Sequence, residues 1–238
     1  MVRSQSYIKL NMVTVLKPRI ITIEGNIGAG KSTLVETLKT KYADRTDVMF
    51  LQEPVDLWSK ITQNGKTVLE LFYADQPKYS FAFQVLAYTT RLQMIEKAVE
   101  EASLKGIRVI VMERSLEADR NIFAKMLYDS GVIEECMYKI YLLMSESGLA
   151  KYKADGVLWV NAGPATCLER IKKRSREGED VIMLGYLETC EAYHREWLDD
   201  REWLDDREKK EYVPKTMFLI DDYATTEKEK ELEIFLFH

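Results

Sequence analysis

The clearest chemistry lies in eight consecutive residues. Gly25-Asn26-Ile27-Gly28-Ala29-Gly30-Lys31-Ser32 fits the spacing G-x-x-x-x-G-K-[ST], a pattern suited to polyphosphate. The glycines let the backbone curl with its N–H groups pointing inward, and a helix that starts at the loop adds a positive field. Lys31 reaches the outer phosphates, and the Ser32 hydroxyl can hold Mg²⁺. These residues and Thr33 are therefore candidates for binding a nucleotide. An apolar, β-branched run, Ile20 to Ile23, precedes the loop, and Leu34, Val35 and Leu38 follow at helical spacing. Strand, loop and helix thus come in the order the motif needs, which a ligand-free glycine-rich turn would not require. The motif implies a nucleotide; it does not say what happens to it.

Three further acids each follow an apolar run. Glu53 comes after Val48–Leu51 and before Pro54, which holds its neighbour extended. A carboxylate there can take a proton from an attacking hydroxyl or aim it; a solvated strand-end acid is the alternative. Glu113, after Ile107–Met112, stands where such loops commonly have an acidic magnesium partner, and Arg114 beside it can touch substrate or phosphate, or the two can form a surface pair. Asp221 follows Met217–Ile220. Arg170, Arg174 and Arg176 lie in the basic stretch RIKKRSREGED. Such a run is either a solvated face or a lid that closes over a transferring phosphate. Gln84 lies among apolar residues in FAFQVL. Its amide needs a partner, either a base edge or a neighbouring backbone.

The elements that would position these groups alternate. Strands are expected at Ile20–Ile23, Val48–Leu51, Ile107–Met112, Gly156–Val160 and Met217–Ile220. Helices follow the loop, cover Val68–Tyr73 as a piece stopped near Pro77, and run from about Phe81 to Leu104. Two more fill Leu116–Lys151; others cover Pro164–Arg174, Met183 to past Trp197, and Thr226–Phe237. Asn64-Gly65-Lys66 reads as a turn. Strands separated by helices predict an α/β fold, a five-stranded parallel sheet flanked by helices on both faces. Ligands then sit at the carboxyl ends of the strands, where Gly25, Glu53, Glu113 and Asp221 converge.

Composition bounds the reading. The 238 residues, 46% of them hydrophobic, suit one domain with a lid. A flexible tail is expected over residues 1–17, with a short organelle-targeting peptide as the alternative, a single domain over 18–238, and the lid at about 174–180. The net charge of −5 gives no general pull on nucleic acid. No apolar run is long enough to span a membrane. Cys136, Cys167 and Cys190 are far apart and odd in number, which fits a reducing, cytoplasmic setting better than a disulfide framework or a metal site. One oddity is the tandem Arg195-Glu-Trp-Leu-Asp-Asp and Arg201-Glu-Trp-Leu-Asp-Asp. A six-residue shift turns a helix by about 600°, so Trp197 and Trp203 cannot share one apolar stripe. One copy is expected to pack and the other to be an exposed insertion; a partner-binding helix is the alternative.

GNIGAGKST, EPV, YSFAFQ with Arg91 beyond it, ERS with Asp119, and RIKKRSRE occur in that order from about Arg19 to Asp222. Together they resemble the deoxyribonucleoside kinases of the deoxycytidine/deoxyguanosine kinase type. The resemblance implies the P-loop NTPase fold, ATP as phosphate donor, Mg²⁺ held through Ser32 and Glu113, and a deoxyribonucleoside as acceptor. It implies Glu53 as base for the sugar 5′-hydroxyl, with Tyr73 and Glu179 holding the 3′-hydroxyl. Gln84 would pair with the base edge, and Phe83 and Phe123 would line the base pocket. Arg114 would lie by the 5′-hydroxyl and phosphates. Arg170, Arg174 and Arg176 match lid arginines, and Asp221 opens a loop that would meet the donor's base. It further implies a homodimer through helices at about 81–104 and 116–150. The segment between Trp58 and Val68 is shorter than in deoxycytidine kinase, and the second REWLDD copy has no counterpart. Arg91 lies two helical turns past Gln84, on the same side. With Asp119 it resembles the pair found in enzymes for deoxycytidine and purine deoxynucleosides, which leaves little room for the methyl group of thymidine. A nucleoside-monophosphate kinase of the thymidylate type shares loop and lid, but is expected to show Asp-Arg after the third strand instead of Glu113-Arg114-Ser115. A nucleotide-switch protein would need D-x-x-G and N-K-x-D elements, which are absent.

Overall fold

The structure is a computed structural model that describes residues 17–176, 178–198, 217–220 and 226–238. Most of residues 1–17, Asp221 and the second REWLDD copy lie outside the described residues, and so do the expectations attached to them.

Strand β1 (Arg19–Glu24) runs into the P-loop, and α1 (Lys31–Lys41) leaves it. Then come β2 (Val48–Leu51), a short α2 (Val55–Trp58), a hairpin of β3 (Thr62–Gln63) and β4 (Lys66–Thr67), α3 (Val68–Ala74) and the long α4 (Gln76–Lys105). Next are β5 (Val109–Glu113), a short α5 (Leu116–Ala118), a π-helical turn at Asp119–Ala124, α6 (Lys125–Asp129) and α7 (Glu135–Lys151). β6 (Gly156–Val160), α8 (Pro164–Arg174) and α9 (Leu184–Leu198) follow, then β7 (Met217–Ile220) and α10 (Thr226–Phe237).

β2, β5, β1 and β6 lie side by side and are all parallel, with β1 and β5 in the middle. These four form the body of the sheet, against the five expected. The short β7, of which only the backbone is described, runs parallel along β6. β1, β5 and β6 are near-continuous apolar runs because both faces of a parallel sheet are covered. Ile21 and Ile23 pack with Leu34, Val35 and Leu38 of α1 and Cys167 and Ile171 of α8. Ile20 turns the other way, toward Tyr88 and Ile95 of α4 and Tyr141 of α7. Trp197 of the first repeat copy packs against Val157, Trp159 and Leu198, as expected for a seated copy.

Several boundaries differ from the sequence reading. α3 stops at Ala74, near Pro77 as expected, but the long helix starts at Gln76 and not at about Phe81, with Pro77 in its first turn, where a missing N–H costs nothing. Asp75 caps that turn by accepting from Lys78 N. The turn at Asn64-Gly65 closes a small hairpin, with both residues at positive φ (54° and 78°) as a tight two-residue connection requires. The stretch expected as two helices is broken by the π turn and again near Gly131 before α7.

Beneath the loop, the face of β1 toward α4 is polar. Thr22 and Glu24 are fully buried there, and neither Glu24 oxygen has a hydrogen-bond partner. Nearby, Glu117 accepts the Ala154 N–H at 3.0 Å with one oxygen, and its other oxygen is unpartnered. Burial pushes Glu24 and Glu117 each up to about 7. The native state therefore holds protons that the unfolded chain releases above the ordinary carboxylate range, so stability falls as pH rises from about 5 through 7. Glu117→Gln should flatten that slope. Thermal melts from about pH 5 to 8 should show the variant more stable than wild type at the alkaline end, by about 2 kcal/mol, and no better at the acid end.

Candidate active site

The P-loop is shaped by what surrounds it. A Cβ at Gly25 would lie 2.5 Å from the Val160 carbonyl oxygen, and one at Gly28 2.5 Å from that of Cys167. With φ of 145° and 78°, neither position suits a side chain. Asn26 ties the loop to α9 by donating to Leu187 O at 2.8 Å, while its side-chain oxygen accepts the Ile27 N–H. Arg170 of α8 donates to Ala29 O at 2.7 Å. Lys31 is buried and donates to Asn26 O at 2.8 Å. Burial and then Arg114 push it down to about 8, against the pull of Glu113, Glu53 and Glu24. The Ser32 hydroxyl donates to Glu113 at 2.9 Å, so the two expected metal-binding oxygens are neighbours.

The expected acid residues meet at one guanidinium. Arg91 of α4 is fully buried. Its Nε and Nη2 grip both oxygens of Asp119 (2.8 and 3.2 Å), Nη1 donates to Glu113 O (3.0 Å), and Nη2 also reaches Glu53 (2.9 Å). Arg91 was expected at the base edge with donors to offer; it faces the cavity, but its donors are taken up by these partners. Burial would raise Glu53, but Arg91, Arg114 and Lys31 outweigh it and hold the carboxylate at about 2. For Asp119 burial wins over Arg91, and its pKa is raised. Arg114 sits 3.4 Å from Glu53 and 4.5 Å over the Phe123 ring. Its backbone is left-handed, φ 62°, which costs a non-glycine residue about 1 kcal/mol or more. Its Nη1 is buried without a hydrogen-bond partner.

A single cavity of about 790 Å³ joins these groups. Ile27 to Thr33, Arg170, Arg174 and Arg176 line it, together with Glu53, Glu113 and Arg114 and with Phe83, Gln84, Asp119 and Phe123. Gly25 and Asn26 are not part of the lining and act through the loop's shape. Gln84 is 3% exposed and its amide has no hydrogen-bond partner among the described residues. Phe83 is held between Phe72, stacked at 4.7 Å, and the edge of Trp58. Trp58 is fixed in turn by its Nε1–H bond to Thr90. Tyr73 and Glu179 both face the cavity. Glu179 is 3% exposed and pairs with both Arg174 and Arg176. The two arginines expected at phosphate therefore rest on an acid of their own loop.

Trp58, Phe72 and Tyr186 also line the site and were missed by sequence reasoning. Trp58 left a signal, a large aromatic in a short polar-flanked segment after a strand end. Phe72 and Tyr186 read as ordinary core positions.

Removing one partner of a buried ion pair leaves the other charge stranded. Arg91→Met should cost about 3 kcal/mol or more in denaturant unfolding, because Asp119 loses the Nε and Nη2 donors that grip both its oxygens while Glu53 keeps Arg114. The double change Arg91→Met with Asp119→Ala should recover more than about half of that loss.

Comparison with known proteins fits this geometry. A family model described as "Deoxynucleoside kinase" matches residues 21–235. "Deoxycytidine kinase 2" of Gallus gallus is 31% identical over 231 residues, covering 90% of this chain and 86% of the relative. "Deoxycytidine kinase" of Homo sapiens is 36% identical over 197 residues, 75% of this chain and 74% of the relative. "Thymidine kinase 2, mitochondrial" of Homo sapiens is 34% identical over 184 residues, 76% and 65% respectively. With the match spanning the P-loop, Glu53, the Arg91 cluster and the lid arginines, the chain belongs to the deoxynucleoside kinase family.

Proposed function

We propose that this kinase transfers the γ-phosphate of ATP to the 5′-hydroxyl of a deoxynucleoside, favouring deoxycytidine or purine deoxynucleosides over thymidine. The observation that carries the reading is one cavity whose lining joins the phosphate loop, an ionised carboxylate and the buried Gln84 amide with aromatic side chains. A nucleoside-monophosphate kinase is not favoured: the named relatives are nucleoside kinases.

In this reading Glu53 aims the 5′-hydroxyl and accepts its proton as the oxygen attacks the γ-phosphorus. The bond to the bridging oxygen breaks, and its electron pair leaves with ADP. A carboxylate held at about 2 is a weak base. It suits a loose transition state, in which orienting the hydroxyl matters more than early proton removal. Lys31 and Arg114 face the charge on the transferring group. Mg²⁺, when bound, neutralises donor phosphates, and Ser32 and Glu113 are the residues that fit it. Gln84 takes the base edge, and Tyr73 with Glu179 takes the 3′-hydroxyl. Asp119 adds an acceptor beside Gln84 that favours an exocyclic amino group over a carbonyl. Arg174 and Arg176 turn from Glu179 to phosphate when the donor binds.

Incubation of ATP with the four deoxynucleosides and, separately, their monophosphates tests the assignment. Activity is expected on nucleosides alone, with thymidine the poorest; preference for thymidine would remove the base reading and leave the kinase. Glu53→Gln should lower turnover by about 10²-fold while nucleoside binding changes less, read as kcat against KM.

A homodimer is part of the proposal. Ile140 and Leu143 of α7, 56% and 75% exposed, stand on one outward face. Such residues suit burial against a second copy. Leu143→Glu should shift the protein from dimer to monomer in sedimentation equilibrium; an unchanged mass would place any dimer contact elsewhere.

A further inference from the structure

The loop after α8 meets α3 at a point where no side chain fits. A Cβ built on Gly178 would lie 2.7 Å from Glu70 Cγ and 3.0 Å from Glu70 Cα. Glu70 cannot swing aside. Its carboxylate accepts the Thr67 N–H at 2.7 Å, and its own N–H donates to the Thr67 hydroxyl, a closed capping box at the start of α3. Gly178 also has φ 83°. The next residue is Glu179, buried and oriented by Arg174 and Arg176. One turn further along α3 lies Tyr73, which shares the cavity with Glu179 and packs edge-on against Tyr186 of α9.

We propose that Gly178 is a positioning residue for sugar recognition: lacking a side chain, it lets its loop rest on the Thr67–Glu70 cap, and this contact sets Glu179 opposite Tyr73 to hold the 3′-hydroxyl. The proposal rests on the assignment of Tyr73 and Glu179 to that hydroxyl. It adds that their meeting is governed from outside the cavity, by a backbone-to-helix contact that touches no substrate. Any side chain at 178 must lift the loop away from α3 and separate the pair, leaving the P-loop, Glu53 and the base pocket as they are.

The test is a difference between two ligands. Dissociation constants are measured for the best of the four deoxynucleosides and for its 2′,3′-dideoxy counterpart, with wild type, Gly178→Ala and Gly178→Asn. Asparagine tolerates a left-handed backbone, so it isolates the packing effect from the φ requirement. Wild type should bind the 3′-hydroxyl ligand roughly tenfold or more tightly than the dideoxy one. In Gly178→Asn that ratio should collapse to within about twofold through weaker binding of the hydroxyl ligand, with dideoxy affinity retained. Retained dideoxy binding also shows that the variant is folded. A wild type that does not discriminate sinks the Tyr73–Glu179 assignment and the proposal with it. A wild type that discriminates and a Gly178→Asn that does so equally sinks the role of Gly178 alone. Loss of both ligands in either variant marks a purely structural role and overturns the proposal.

Discussion

The structure depends on one buried guanidinium. Arg91 ties α4 to the end of β2 through Glu53, to the end of β5 through the Glu113 carbonyl, and to the π turn through Asp119. A cation so deep would be heavily penalised alone, and so would each carboxylate. Together they close a network whose charges satisfy one another, and the Glu53 carboxylate is thereby aimed at the cavity and kept ionised. The side chain that looks most like a substrate contact is thus the frame on which Glu53, the base proposed for the reaction, is mounted.

That frame explains the local departures from regular structure. The π turn carries Asp119 and Phe123, one residue bound to Arg91 and the other beneath Arg114. π segments concentrate at functional sites. The left-handed Arg114 lies immediately after Glu113, where the strand must deliver a carbonyl to Arg91 and a carboxylate to Ser32. Strain of this kind persists only where surrounding contacts over-determine it.

Much of this was legible in the chain because it is written locally. The P-loop, its strand and its helix occupy consecutive residues, and apolar runs marked the strand ends where Glu53 and Glu113 stand. What escaped depends on distance or on context. The pairing of Arg91 with Asp119 was expected, but no periodicity shows that Arg91 also spends donors on Glu53 and on the Glu113 carbonyl. The start of α4 at Gln76 escaped because the tolerance of Pro77 in a first turn depends on Asp75, the capping residue before it. Trp58 and Phe72 were not placed in the site because their work is to brace Phe83, a contact that exists only once α2, α3 and α4 have packed. The pairing of Glu179 with Arg174 and Arg176 spans a few residues, yet charge alone could not choose between a solvated run and an internal latch.

The position of β1 has a consequence for how the chain acquires its shape. Arg19–Glu24 lies in the middle of the sheet, and its two neighbours are strands formed much later in the sequence: Arg19 pairs with Val109 and Glu24 with Trp159. As the chain leaves the ribosome, the phosphate loop emerges early and has nothing to fold against. The Val160 carbonyl that moulds Gly25, the Cys167 carbonyl that moulds Gly28 and the Leu187 carbonyl that holds Asn26 all emerge much later. Non-local parallel pairing of this kind makes for slow folding. The nascent chain therefore carries this central strand without its sheet partners through much of synthesis, the kind of exposure that makes a partly folded chain aggregation-prone.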